Sequence, residues 1–147
     1  MKKAERDLII EKKIKELETK KEGIKKELDS LPKPVTNLKV MINDKLITLK
    51  TRATEELIMV VGSLIRMKDD WEKGSKELLG TVKEELMISN YKVTDWINDI
   101  KGVMKERTLR DKITDIDKAI SELPKYYTDD KKDDIDFGNL MSNIENT

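Results

Sequence analysis

The chain reads as a mainly α protein, an antiparallel helical coiled-coil arm that carries a small helical head containing one β-hairpin. Three observations predict this. Ile10, Ile14, Leu17, Lys21, Ile24, Leu28 and Leu31 alternate four and three residues apart, the step of a heptad seam. Leu109, Ile113, Ile116, Ile120 and Leu123 repeat that step towards the other end of the chain. Between the two seams lies Thr54 to Trp71, the one place where apolar residues run together. The expected division is a single domain over 1–123, with an N-terminal arm helix over 1–31, a head over 37–104 and a returning arm helix over 105–123. An acidic C-terminal tail over 124–147 follows.

The first seam is interrupted by Lys21, and Gly23 costs about 1 kcal/mol of helix propensity relative to Ala, so this helix needs a partner. Pro32 and Pro34 end it. In NLKVMINDKLITLK, a two-residue turn at Asn43 and Asp44 sets Ile42 opposite Lys45, Val40 opposite Ile47 and Leu38 opposite Leu49. That register gathers most of the apolar side chains on one face, which must pack on something, because a lone hairpin is unstable in water.

The central run, TEELIMVVGSLIRMKDDW, is the expected core helix. Thr54 is a good N-cap, Glu55 and Glu56 place negative charge at the positive end of the helix dipole, and the pattern is too long for an ordinary strand. A short β-branched strand over Leu57–Val61 is the competing reading. Leu57, Ile58, Val60, Val61, Leu64, Ile65 and Met67 cover more than a surface helix's stripe, so burial on most sides is expected.

Beyond Trp71, Gly74, Gly80 and a Thr81–Glu84 capping-box spacing predict short helical pieces and a loop. Thr94 is then expected to cap a helix whose buried face is Trp96, Ile97, Ile100, Val103 and Met104. The phase change between Met104 and Leu109 predicts either a bend or a new packing partner, and Pro124 marks the end of the second seam. Pairing the seams antiparallel, with Leu28 and Leu31 against Leu109 and Ile113, brings Lys25 to Asp117 and Glu27 to Lys112, within about one turn of register.

Composition narrows the function. The 147 residues are 37% hydrophobic and 41% charged, so the core is small, and 30 Lys and Arg balance 30 Asp and Glu, so no global field draws in nucleic acid or an anionic membrane. No apolar run approaches the length of a membrane span, which gives the expectation of a cytoplasmic protein without membrane partners. The absence of Cys and His removes disulfides, Cys-ligated zinc, thiol nucleophiles and the commonest general base.

The candidate sites are few. Neighbouring carboxylates such as Glu55 and Glu56, or Asp69 and Asp70, point about 100° apart on a helix and read as solvated charge, not as acid–base pairs. Asp134, Asp136 and Glu145 stand at the first, third and twelfth positions of a calcium loop, but Gly138 and Asn139 break that pattern at the fifth and sixth. Lys12, Lys13, Lys20, Lys21, Lys25 and Lys26 are mixed with Glu11, Glu16, Glu18, Glu22 and Glu27, which favours a charged helix surface over a phosphate-binding stripe. Trp71 and Trp96 sit beside apolar stripes and read as core in preference to an exposed hot spot. In the acidic tail, Ile135, Phe137, Leu140 and Met141 form the candidate partner-binding set, a short adhesive helix or peptide. No catalytic residue, cofactor or metal ligand is assigned.

LKTRATEELI, Leu49 to Ile58, and DWINDIK, Asp95 to Lys101, resemble stretches of small proteins encoded by temperate phages and mobile elements of low-GC Gram-positive bacteria. The resemblance spans the middle half of the chain and carries no functional residue. It implies a phage or mobile-element accessory protein, a class in which helical binders that block host factors are common. The leading expectation is therefore a non-enzymatic helical protein-binding module that inhibits a host defence or replication factor, with a larger host protein as partner. The alternatives are a nucleic-acid-associated accessory or recombination factor, and a structural homo-oligomer.

Overall fold

The computed structural model describes residues 3–42, 44–128 and 134–145. In chain order these form α1 (Lys3–Asp29), β1 (Lys39–Ile42), β2 (Lys45–Thr48), a 3-10 turn (Leu49–Thr51), α2 (Thr54–Leu79), β3 (Met87–Ile88), β4 (Tyr91–Lys92), α3 (Val93–Glu122), α4 (Lys125–Thr128) and α5 (Asp134–Glu145). The chain divides into a terminal unit, made of the segments up to Ser30 and from Arg107 onward, and a central unit, Leu31–Glu106.

In the terminal unit α1 and α3 pack together as the antiparallel helical arm. The seam residues Ile10, Leu17 and Ile24 of α1, Leu109 and Ile116 of α3, and Leu123 just after α3 are all buried. Each such side chain stabilises the arm by about 1.5–3 kcal/mol relative to exposure. Lys21, the charged interruption, is tolerated because it bonds Asp117 across the arm. That pair replaces the expected Lys25–Asp117 contact, a displacement of about one helical turn. Burial of the apolar seam decides the register, and the exposed charges adapt to it.

The arm continues into α4 and α5. Tyr126 and Phe137 are buried, their rings 5.4 Å apart and tilted by 57°, and Ile144 is buried further along α5. A helix over Asp134–Glu145 overturns the calcium-loop spacing: at about 1.5 Å per residue its first and twelfth positions lie about 16 Å apart, too far to share an ion.

The central unit has its own core of Leu38, Leu49, Leu57, Val61, Val93, Trp96, Ile97, Ile100 and Val103. The β1–β2 register is Val40 opposite Ile47 and Ile42 opposite Lys45, as the turn chemistry predicts, and Leu49 N–H bonds Leu38 C=O at 2.9 Å. Asp44 has φ 62°, the sign a tight hairpin turn requires; Asn43 lies outside the described residues.

α2 corrects several expectations. It is a helix and not a strand, but Ala53 holds the cap position, without a side-chain cap bond, and Thr54 is already helical. It runs through Gly74 to Leu79, because an interior Gly weakens a helix by only about 1 kcal/mol; Gly80, at φ 75°, is the actual stop. Above all, it is not buried on most sides. Leu57 and Val61 are core, while Ile58, Met59, Ile65, Met67 and Trp71 are exposed.

The Thr81–Glu84 spacing caps no helix. Instead Ser89 and Asn90, at φ 50° and 69°, turn a second, very short hairpin, β3–β4, that pure sequence reading misses because it has no Gly. α3 begins at Val93, one residue before the expected Thr94 cap, and continues unbroken past Arg107. The phase change there is a change of packing partner: Val93 to Val103 join the central core, and Leu109 to Leu123 serve the arm.

Candidate functional site

The stripe of α2 that is core at Leu57 and Val61 continues in the same phase to Trp71 and Leu78, each a whole number of heptads from Leu57 or Leu64. Along it burial fails. Leu57 is fully buried, Trp71 is 42% exposed and Leu78 is 86% exposed. Leu79 and Met67, on either side, are exposed as well. Along this stripe the central core covers Leu57 and Val61, whereas among the described residues Trp71 is only partly covered and Leu78 is exposed.

The second half of α2 lines a cleft of about 550 Å³, in which Trp71, Leu78 and Leu79 are the apolar residues, Gly74 and Ser75 the small ones, and Asp70, Lys83 and Glu84 the charged ones. Trp71 is held in place: its indole N–H donates to the Glu84 carbonyl at 2.9 Å, which orients the ring and anchors the 83–84 loop beside the helix. A Cβ at Gly74 would meet no atom within 4 Å, so the space over it is open. On the neighbouring face Lys68 and Glu72 pair at 3.3 Å, an exposed i,i+4 contact worth a few tenths of a kcal/mol.

A second cleft, of about 380 Å³, lies between the Pro32–Pro34 segment and α3. Its central feature is structural. The buried Asp99 carboxylate accepts the Val35 N–H at 3.0 Å, and the Thr36 N–H and Thr36 hydroxyl at 2.6 Å each, fastening the loop to the helix. Asp99 follows Trp96 by three residues and precedes Val103 by four, so its place at the edge of an apolar stripe was a sequence signal for a buried carboxylate.

Of the sequence candidates, Phe137 is buried against Tyr126, Leu140 and Met141 are half-buried on α5, and the side chain of Ile135 lies outside the described set. Trp96 is core, with its N–H on Ile88 C=O at 2.8 Å and its ring edge-on to Tyr91, whereas the expectation of core packing fails for Trp71. Leu78 and Leu79 went unassigned because short helical pieces and a loop were expected beyond Trp71, and Met67, expected buried in the central helix, is exposed. Among the described residues no three His, Cys, Asp or Glu side chains gather to hold a metal, and no helix is long and apolar enough to cross a membrane. Chemically, the α2 cleft can take up an apolar group beside the charged side chains that line it.

No protein-family model, curated protein or solved structure matches this chain.

Proposed function

We propose that the chain is a non-enzymatic protein-binding module that works by occupying a larger partner protein, with the uncovered half of α2 as its docking face. The observation that carries this reading is the exposure of Trp71 and Leu78 on the same stripe that forms the core at Leu57 and Val61. Large apolar side chains grouped around a cleft mark interaction surfaces, and a Trp fixed by its own N–H bond is the type of residue that anchors them. The further reading, an accessory protein of a phage or mobile element that blocks a host defence or replication factor, draws its support from the resemblance of Leu49–Ile58 and Asp95–Lys101.

The test is capture of a partner from a low-GC Gram-positive host lysate by the wild-type chain and by a Leu78→Lys variant. Leu78 is exposed, so the substitution leaves folding intact. A partner retained by the wild type and lost by the variant, saturating at a fixed molar ratio and recovered chemically unchanged, supports occupancy. Equal retention by both removes the α2 face from the reading, and covalent change of the partner at substoichiometric protein replaces occupancy with catalysis.

A further inference from the structure

One side of the α2 stripe, beside the cleft, carries a repeated carboxylate. Asp70 and Glu77 immediately precede Trp71 and Leu78, so they repeat one heptad apart along one side of the apolar stripe. Glu84 adds a further carboxylate at the rim, beside Lys83. Heptad geometry fixes how a second copy would meet this face. Laid antiparallel so that the Trp71 ring fills the Gly74 notch of the other copy, the pair sets Met67 over Leu78 and sets Asp70 against Glu77 of the other copy, twice by symmetry. The apolar residues would fit while the flanking charges repel, so the edge disfavours self-pairing and suits a helix with cations in those positions.

We infer that the cleft binds an amphipathic helix of a partner protein, with a bulky apolar side chain seated in the Gly74 notch and Lys or Arg along the edge that meets Asp70 and Glu77. This rests on the docking-face reading above and names the partner's chemistry. Indole fixation by the Glu84 carbonyl and the helical backbone at Gly74 and Ser75 mean that little of the site must be ordered on binding.

Two helical peptides with the same Leu-rich stripe, one edged with Lys and one with Glu, are the probes, titrated against the full chain by calorimetry at low and moderate salt. The Lys-edged peptide should bind about tenfold or more tightly than the Glu-edged one, and the gap should narrow as salt is added. A double variant, Asp70→Lys with Glu77→Lys, should reverse the preference. Gly74→Phe, at a position with open space around it, should abolish binding of the Lys-edged peptide with the helical circular dichroism signal retained. Equal affinity for both peptides overturns the charge selection and leaves the docking face standing. Failure of either peptide to bind, or binding unaffected by Gly74→Phe, overturns the assignment of this ligand class to the cleft, while the Leu78→Lys capture experiment judges the docking face separately. Concentration-dependent doubling of mass that Leu78→Lys abolishes makes the occupant a second copy and also overturns the inference.

Discussion

Replacing Asp99 by Ala tests whether one buried carboxylate fixes the Pro32–Thr36 segment on α3. Three donors reach it: Val35 N–H at 3.0 Å, and Thr36 N–H and Thr36 hydroxyl at 2.6 Å each. They do not count equally. The Val35 N–H bond is part-buried, so this donor regains water more easily when the carboxylate goes, whereas Thr36 is 7% exposed and its two donors are stranded. Each stranded buried donor costs about 1–3 kcal/mol, and removing a buried charge returns part of its desolvation cost, so the net loss for Asp99→Ala is about 2–4 kcal/mol. Asn can still accept from Thr36 but turns an amide N–H₂ towards another donor, so Asp99→Asn should lose about 1–2 kcal/mol. Thr36→Val should lose about 1–2 kcal/mol, since the hydroxyl also accepts the Leu38 N–H at 3.3 Å. Urea denaturation gives the three losses at unchanged m-value, and a double-mutant cycle between Asp99→Ala and Thr36→Val should show coupling of about 1 kcal/mol or more. Hydrogen exchange should lose protection first at the Thr36 and Leu38 amides. An Asp99→Ala protein within about 0.5 kcal/mol of wild type, the range of ordinary surface substitutions, would show that the carboxylate does not hold the loop.

Asp at Leu17 or Ile116 puts an unpaired charge into the arm seam and should remove a cooperative unfolding transition; unchanged melting and exchange protection in both variants would count against the seam. Phe137→Ala should cost about 3 kcal/mol and raise exchange around Tyr126, because it empties a buried ring site; deletion of 129–147 should expose the same tyrosine to quenching, and neither effect would appear if α5 contributed nothing to the terminal unit. Gly74→Ala should raise stability by about 0.5–1 kcal/mol in chemical denaturation, since α2 is helical there and a Cβ meets nothing; a loss instead would mean that the helix is broken at that residue.

The arm was legible because its information is local. A four–three step needs only neighbouring residues, and Ile10, Leu17, Ile116 and Leu123 obey it whatever the rest of the chain does. The β1–β2 register was legible for a similar reason, since a two-residue turn fixes every pair beyond it. Exposure is a different kind of quantity. Ile58 and Leu57 are chemically alike, yet one is 57% exposed and the other buried, and that depends on how many elements are available to cover α2. Gly74 misled in the opposite direction: a helix breaker by composition, it proved a tolerated interior residue that lines a cleft. Asp99 went unassigned although it stands at the edge of an apolar stripe, and its partners at Val35 and Thr36 left no signal, because the loop that supplies them has no periodicity.

The two halves of α2 tie stability to binding under the proposed reading. The half bearing Leu57 and Val61 is built into the central core, so the helix forms and keeps its phase before any partner arrives. The half bearing Trp71 and Leu78 inherits that phase but not the cover, and its apolar surface remains in water. Retaining exposed apolar groups forgoes about 25 cal/mol for every Å² left uncovered, a loss that folding of the chain does not recover and that a docked helix would. A partner meeting this face would find a rigid helix, an indole already fixed on Glu84 and an open notch at Gly74, so association would carry little of the ordering cost that weakens flexible binders. Apolar contact would then supply most of the affinity, and the Asp70 and Glu77 edge would decide which helix is accepted.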